Sequence, residues 1–357
     1  MEADAMQPAA LPEPLAQRAR GYLVGVLQDL AAPPVPVLPP ALAACTAAAM
    51  EHVLGLLGGR RFTHLSRTQA GPYLVRMRPL LQADMDAGRP LRFCYDLGPG
   101  YHASVAGDFS DLRFAPGLGE LLALRQIHAF GQEVTRVYAP GVHCSLVIDD
   151  LCAWLTNDVA PMRTAAYVQQ LVALVAAAGL QGWVDVLAES ALVAPGAYRR
   201  AFECLPPTPW PAAVSPAEQE NVSRFVGRAC SPGQAADHLA RYQRALQVSA
   251  QLLAPHLGGV RLTQRATPHS LGFRAFAGTD VRLQSGRVAL LLGEGAKPRP
   301  VLVTHRNRSR YLLTALAPVH VPPHWPLPPG AVCAAVCRSD ASAPGCLAGT
   351  RRGLGSV

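Results

Sequence analysis

The 357-residue sequence almost lacks lysine: Lys297 is the only one, and every other strong cation is an arginine. Charge is scarce altogether. Only 16% of residues are charged against 50% hydrophobic, a balance that excludes a disordered chain. The formal charge of +8 is spread thinly, with one local cluster at Arg306, Arg308 and Arg310. Basic surfaces for nucleic acid come as dense stripes with interleaved aromatics; that pattern is missing, so no nucleic-acid partner is expected. No stretch reaches the ~18 apolar residues of a membrane span, the longest candidate being Leu171 to Leu180. The start, Met1-Glu2-Ala3-Asp4, is acidic and has no signal-like apolar segment. A soluble, cytoplasmic protein with no membrane partner is expected.

Other absences narrow the chemistry. There is no P-loop, no G-x-G-x-x-G after a strand, no H-E-x-x-H and no G-x-S-x-G. Gly98-Pro99-Gly100 lacks the third glycine and the helix start that dinucleotide binding requires. The nine cysteines are an odd number and mostly isolated, and Cys333, Cys337 and Cys346 lack zinc-site spacing. Reduced thiols packed as small hydrophobes are expected, with no metal and no cofactor.

What is present is periodicity. Apolar residues at helical spacing predict helices over Leu15–Leu30, 41–57, 67–84 (broken or begun at Pro72), 116–130 and 161–178. Two more open at the Ser215-Pro216-Ala217-Glu218 capping box and after Pro232, the latter reaching Leu253. Strands are predicted at 90–95, 134–138, 142–149 and 183–187, then at 260–263, 271–276, 287–292 and 300–304, with a hairpin turn at Ser285-Gly286. This alternation predicts an α/β protein with a mixed, Rossmann-like sheet flanked by helices and a strand-rich C-terminal part. Residues 1–40 read as an N-terminal helix and Pro-rich connector, 41–328 as the α/β domain, and 329–357 as a disordered tail.

Polar residues that look placed gather between 116 and 158. Val134–Tyr138 and Val142–Asp149 read as two strands joined by a type II turn at Pro140-Gly141. In the second strand Val142, Cys144, Leu146 and Ile148 share one face, and His143, Ser145, Val147 and Asp149 the other. Glu120 lies in the first turn of the preceding helix, where a carboxylate is also favoured by the helix dipole alone. Asn157 or Asp158 is the expected cap of the next helix. Upstream, Asp96 to Ser104 reads either as a ligand loop leaving a strand end or as a plain turn in which Tyr101 packs. Downstream, Arg261, Arg265, His269 and Arg274 make either a bidentate anion site or a solvated basic surface.

These motifs, in this order, resemble the isocyanide synthase family, also called the pyoverdine/dityrosine biosynthesis family. The resemblance rests on Glu120 within Leu118-Gly119-Glu120-Leu121-Leu122-Ala123-Leu124, on Tyr138, Pro140 and Gly141, and on Asp149 at a strand end; it covers about residues 90–175. Two departures stand out. Asp150 occupies a family glycine position, and Leu91-Arg92-Phe93-Cys94 replaces a segment that carries a lysine. The resemblance implies a divergent member that converts the α-amino group of an amino acid, aromatic by preference, to an isocyanide. Ribulose 5-phosphate would supply the carbon, no metal or redox cofactor would be needed, and a downstream oxygenase would act on the product. It makes His102, Glu120, His143 and Asp149 the candidate catalytic groups, the imidazoles to deprotonate the amine and the carboxylates to move protons. Arg92, Asp96, Tyr101, Tyr138, Arg261 and Arg274 are the candidate substrate-binding residues, with arginines for the sugar phosphate. Tyr95, Tyr101 and Trp154 are the expected apolar walls for an aromatic side chain. The loss of the lysine keeps a second reading open, a non-catalytic relative that binds a small anionic or amino-acid ligand.

Overall fold

The computed structural model describes residues 13–31, 46–63, 65–98, 101–102, 113–114, 116, 118–157, 159–206, 213–226, 229–263, 270–274, 288–292, 297–302, 312–315 and 334–337. In chain order the first elements are α1 (Glu13–Ala31), α2 (Thr46–Leu57), α3 (Arg67–Asp86), β1 (Leu91–Leu97), β2 (Tyr101–His102), β3 (Arg113–Phe114), α4 (Leu118–Thr135) and β4 (Val142–Ile148). There follow α5 (Asp150–Asn157), α6 (Pro161–Ala177), β5 (Val184–Ala188), α7 (Glu189–Leu192), α8 (Pro195–Cys204), α9 (Pro216–Val226) and α10 (Pro232–Leu253). The described chain closes with β6 (Val260–Thr263), β7 (Leu271–Gly272), β8 (Val288–Leu292), β9 (Arg299–Leu302), β10 (Leu312–Ala315) and β11 (Ala334–Cys337).

Five strands form a parallel sheet in the order β5-β4-β1-β6-β7. The chain builds outward from β1 through β4 to β5, then returns to the other side of β1 for β6 and β7. The order reverses between β1 and β6, which is the topological switch point of a Rossmann-like sheet. The expected α/β architecture is therefore present. A second sheet, β10-β11-β8-β9, forms the strand-rich C-terminal part. Its strand β11 lies inside the segment expected to be a disordered tail, because Ala335 to Cys337 pair with Leu290 to Leu292 and complete that sheet.

One face of the main sheet carries the core. Leu91, Phe93, Tyr95 and Leu97 of β1 and Val142, Cys144, Leu146 and Ile148 of β4 are buried against α1, α2, α3, α4 and α6. Phe93 meets Phe130 and Tyr95 meets Phe273 edge-to-face, at 5.2 and 5.9 Å. Each such side chain contributes about 1.5–3 kcal/mol on burial. Tyr95 faces this core, so it does not wall a site on the opposite face.

Burial energies of that size override several local signals. Val134 to Tyr138 is not a strand: α4 runs through Thr135, whose hydroxyl donates to Gly131 O at 2.9 Å. The β propensity of Val134 and Thr135 is worth a few tenths of a kcal/mol, whereas Leu121, Leu122, Leu124, Ile127, Phe130 and Val134 all bury on this helix. Pro140-Gly141 is then a helix-to-strand turn and not a hairpin, with Gly141 at φ 70° as expected and β4 pairing in parallel with β1. Helix α3 continues through Pro72 and Pro79, held by the Ser66–Gln69 capping box and by burial of Met77, Leu81 and Met85. Helix α6 starts at Pro161 after Ala160 with no side-chain cap, while Asn157 closes α5; Asp158 lies outside the described residues, as does the Ser285-Gly286 turn.

Candidate active site

The second face of the sheet is polar. Alternation along β1 puts Arg92, Cys94 and Asp96 there, and the parallel register aligns them with His143, Ser145 and Val147 of β4. On β5 the same row continues with Asp185 and Leu187, and on β6 with Arg261. A row of polar side chains on a sheet face is stable only where partners or water reach it. Here most have partners, and the partners sort the candidates.

At the amino end of the strands the polar groups hold the fold together. Arg92 is bound to Asp84 of α3: its Nη2 lies 2.9 Å from Asp84 Oδ1, and its backbone N–H donates to Oδ2 at 3.0 Å. Arg89 donates to the same carboxylate at 2.9 Å. Burial pushes Asp84 up, but the hydrogen bonds from Arg92 and Arg89 outweigh it and the carboxyl titrates below its ordinary value. The Tyr138 hydroxyl donates to Arg89 O at 2.8 Å and is buried. His143 Nε2 stands 3.4 Å from Asp185 Oδ1, with both side chains about two-fifths exposed (41% and 42%). His143 and Asp149 share a face as expected, but they stand six positions apart along the strand direction, roughly 20 Å. Arg92, Tyr138 and His143 are thus gathered at the wrong end of the sheet for a common site with Asp149.

The carboxyl ends are different. Asp96, expected in a loop, sits in β1, whose carboxyl end lies two residues beyond the predicted one. It is tolerated there because Arg261 of β6 grips both of its oxygens, at 2.8 and 3.0 Å. This pair spans the switch point, with the two side chains 20% and 22% exposed. One strand over, Asp149 follows β4, and its N–H donates to Leu97 O at 3.2 Å. Its Oδ1 is buried and accepts no hydrogen bond among the described residues. Burial, then the charges of Asp96 and Asp150, push Asp149 up to about 7. Arg274 follows β7 at the same end of the sheet, its N–H donating to Phe62 O at 2.7 Å.

Two further carboxyl-end acids lie outside the set that the sequence motifs select for the site. Glu189 opens α7 directly after β5 and is 2% exposed. Its Oε2 accepts from Cys152 N–H at 3.1 Å, and its Oε1 lies 2.7 Å from Ser249 Oγ of α10. Burial, then the charge of Asp149, push Glu189 up to about 8. Asp150, at the family's glycine position, accepts from both the N–H and the hydroxyl of Ser190 and so ties α5 to α7. The signal that could have found Glu189 is the matching carboxylate one residue past each of two strands, but it is legible only once β4 and β5 are known to be neighbours.

Glu120 is also buried, at 1% exposure, and accepts from the Tyr167 hydroxyl at 3.1 Å. The helix dipole alone does not account for its place, since the side chain points inward to Tyr167 of α6. Tyr101 and His102 form β2, paired with Phe114 and Arg113 of β3. Their side chains, and Arg265, His269, Arg306, Arg308 and Arg310, lie outside the described residues.

The fold itself has a known counterpart. The chain aligns with the PvcA protein from Pseudomonas aeruginosa at a TM-score of 0.55 and 18% identity, over 75% of this chain and 95% of that one. It has the PvcA fold. Two weaker similarities, to tyrosyl-tRNA synthetase from Pyrococcus horikoshii (TM-score 0.29, 10% identity, 60% of this chain and 49% of that one) and to a tryptophanyl-tRNA synthetase homolog from Entamoeba histolytica (0.27, 12%, 67% and 54%), carry no argument. No family model and no curated protein matches the sequence. On the PvcA fold, the carboxyl ends of β1, β4 and β6 bring Asp96, Asp149 and Arg261 together at the switch point, where such sheets bind ligands. The arrangement offers a buried carboxyl pushed up to about 7 beside a fixed cation–anion pair, which suits proton transfer to and from a bound ligand.

Proposed function

We propose that this protein is an isocyanide synthase-like enzyme, converting the α-amino group of an amino acid, aromatic by preference, to an isocyanide with carbon from ribulose 5-phosphate. The observation that carries this reading is Asp149: the residue that matches the family's strand-end aspartate stands at the carboxyl end of β4 with a buried, unpartnered oxygen. The PvcA fold supports it, PvcA being a member of the pyoverdine/isocyanide synthase family.

An α-ammonium group is unreactive until it loses a proton. Ionised Asp149 takes that proton and becomes a neutral acid, and the free amine then attacks the ketone carbon of the sugar phosphate. In the adduct one nitrogen-bound proton passes to the former carbonyl oxygen and the neutral acid delivers a second, so the oxygen leaves as water, and a protonated imine and ionised Asp149 remain. Arg261 and Arg274 are the cations at this end of the sheet for the sugar phosphate. Arg261 is already bound to Asp96, so it orients more than it attracts.

The test is to incubate purified protein with tyrosine, tryptophan and other amino acids plus ribulose 5-phosphate labelled at the carbonyl carbon. A labelled isocyanide, read by mass and by its infrared stretch, is expected. No product with any amino acid would overturn the synthase reading. One observation favours the second reading, a ligand-binding relative without turnover: Arg92, which stands in the segment where the family has a lysine, is held by Asp84 at the far end of the sheet. Saturable amino-acid binding without product would select it.

A further inference from the structure

Glu189 is a buried acid one strand over from Asp149, and its hydrogen bonds can be counted. The Tyr198 hydroxyl lies 2.9 Å from Ala245 O, a contact in which only the hydroxyl can donate. The same hydroxyl lies 2.7 Å from Ser249 Oγ. Tyr198 has one proton and has placed it on Ala245, so Ser249 supplies the proton for this second contact. Ser249 Oγ also lies 2.7 Å from Glu189 Oε1. Ser249 has one proton as well, and it is now committed to Tyr198. For all three contacts to be hydrogen bonds at once, the proton in the last must come from Glu189. The other oxygen of Glu189 accepts from Cys152 N–H at 3.1 Å, as the carbonyl oxygen of a carboxylic acid does.

We propose that Glu189 is held as a neutral carboxylic acid and serves as a positioning residue for Asp149, keeping a negative charge away from it so that Asp149 can ionise and accept the substrate's proton. The chain of donors runs Glu189 to Ser249 to Tyr198 to Ala245, from α7 through α10 to α8 and back. The charged and titratable groups around the pair agree with this. Asp96 of β1 is offset by Arg261 of β6, Asp150 of α5 is spent on Ser190, and Cys152 of α5 and Tyr198 of α8 are both pushed above their ordinary values by burial. No cation among the described residues is hydrogen-bonded to Glu189 or Asp149. Two adjacent carboxylates without a counter-ion cannot both ionise cheaply, so one keeps its proton, and the donor chain selects Glu189.

The role in turnover rests on the synthase reading; the protonation state does not. The full-length protein is labelled with glutamate carrying 13C at the side-chain carboxyl, and the Glu189 resonance is identified as the one lost in Glu189→Gln. It is expected to keep the chemical shift of a neutral acid through pH 7. A resonance that titrates below pH 5 would overturn the proposal. In turnover, Glu189→Ala is expected to lower product formation at least about tenfold, and Glu189→Gln, which supplies a donor to Ser249 and an acceptor for Cys152 N–H, to restore it and to remove the alkaline fall in rate that ionised Glu189 causes. A folded Glu189→Gln that stays inactive, or one that cannot fold, would each overturn the proposal. If the wild-type protein makes no isocyanide, the synthase reading fails and the carboxyl titration alone decides this one.

Discussion

Asp149 and Glu189 leave neighbouring parallel strands at the same height. β4 and β5 pair Ile148 with Ala188, so each acid is the next residue of its own strand. Parallel strands lie about 4.8 Å apart, which is why each group's titration depends on its neighbour. The site is acidic at its centre, and Arg261 is fixed at its edge by its ion pair with Asp96.

Stability should therefore fall as pH rises. Asp149 and Glu189 have folded values raised to about 7 and about 8. Their contribution is fully present below the ordinary carboxyl range near 4 and is lost as pH climbs through those values. Asp149→Asn should flatten the slope between pH 4 and 7 and stabilise the protein at pH 8 by up to a few kcal/mol, since each tenfold change in a proton-binding constant corresponds to about 1.4 kcal/mol. Urea midpoints at pH 5 and pH 8 measure it; the same variant should make no product.

Asp84 should behave in the opposite sense. Its folded value is lowered, so its stabilisation is present above the ordinary value near 4 and is lost as pH falls through the folded value. Asp84→Ala leaves Arg92 N–H and two guanidinium groups without their acceptor. A loss of about 3 kcal/mol at pH 7 is expected from chemical denaturation, with a change in the acid-unfolding midpoint.

Breaking the switch-point pair should hurt both fold and site. Arg261→Gln leaves Asp96 without a counter-ion beside Asp149, at an expected cost of about 2–3 kcal/mol given the partial exposure of both side chains. It should also move the acid limb of the pH–rate profile upward, because Asp149 then faces an uncompensated neighbour. An unmoved limb would mean that Asp96 does not act on Asp149.

Tyr138→Phe and His143→Gln test the separation of the two ends of the sheet. Tyr138→Phe removes the hydroxyl that donates to Arg89 O at 2.8 Å and lies 3.4 Å from Asp84 O, and should cost about 1 kcal/mol in denaturation. Neither variant should change kcat/KM more than about threefold, since both residues sit at the amino end of the strands.

Gly259 tests backbone packing. It adopts φ +92°, and a Cβ there would lie 2.1 Å from Arg92 O. Gly259→Ala should cost several kcal/mol or prevent folding, read as loss of soluble protein or of a cooperative unfolding transition.

The helices and most strands were legible because their signals are local. Periods of 3.6 and 2 located α1, α6, α10 and β4, and Ser215-Pro216-Ala217-Glu218 opened α9 through its reciprocal bonds with Glu218. The core face of β4 and the positive φ of Gly141 also followed from neighbours in sequence. Val134 to Tyr138 misled because β propensity is local, whereas the burial of Phe130 and Val134 that extends α4 depends on Phe62, Phe93 and the rest of the core.

Of the site, the sequence by itself determined that Asp149 would stand at a strand end, facing away from the core. It could not determine company. His143 lies six residues from Asp149 in sequence and shares its face, yet the rise of a strand carries it about 20 Å away. Glu189 lies forty residues on and becomes its neighbour, because parallel pairing brings equivalent ends of distant strands together. Arg261 reaches Asp96 across the switch point for the same reason. Strand order and register are set by long-range burial, and only they decide which charges meet, which protons are shared and which candidates are merely holding the sheet.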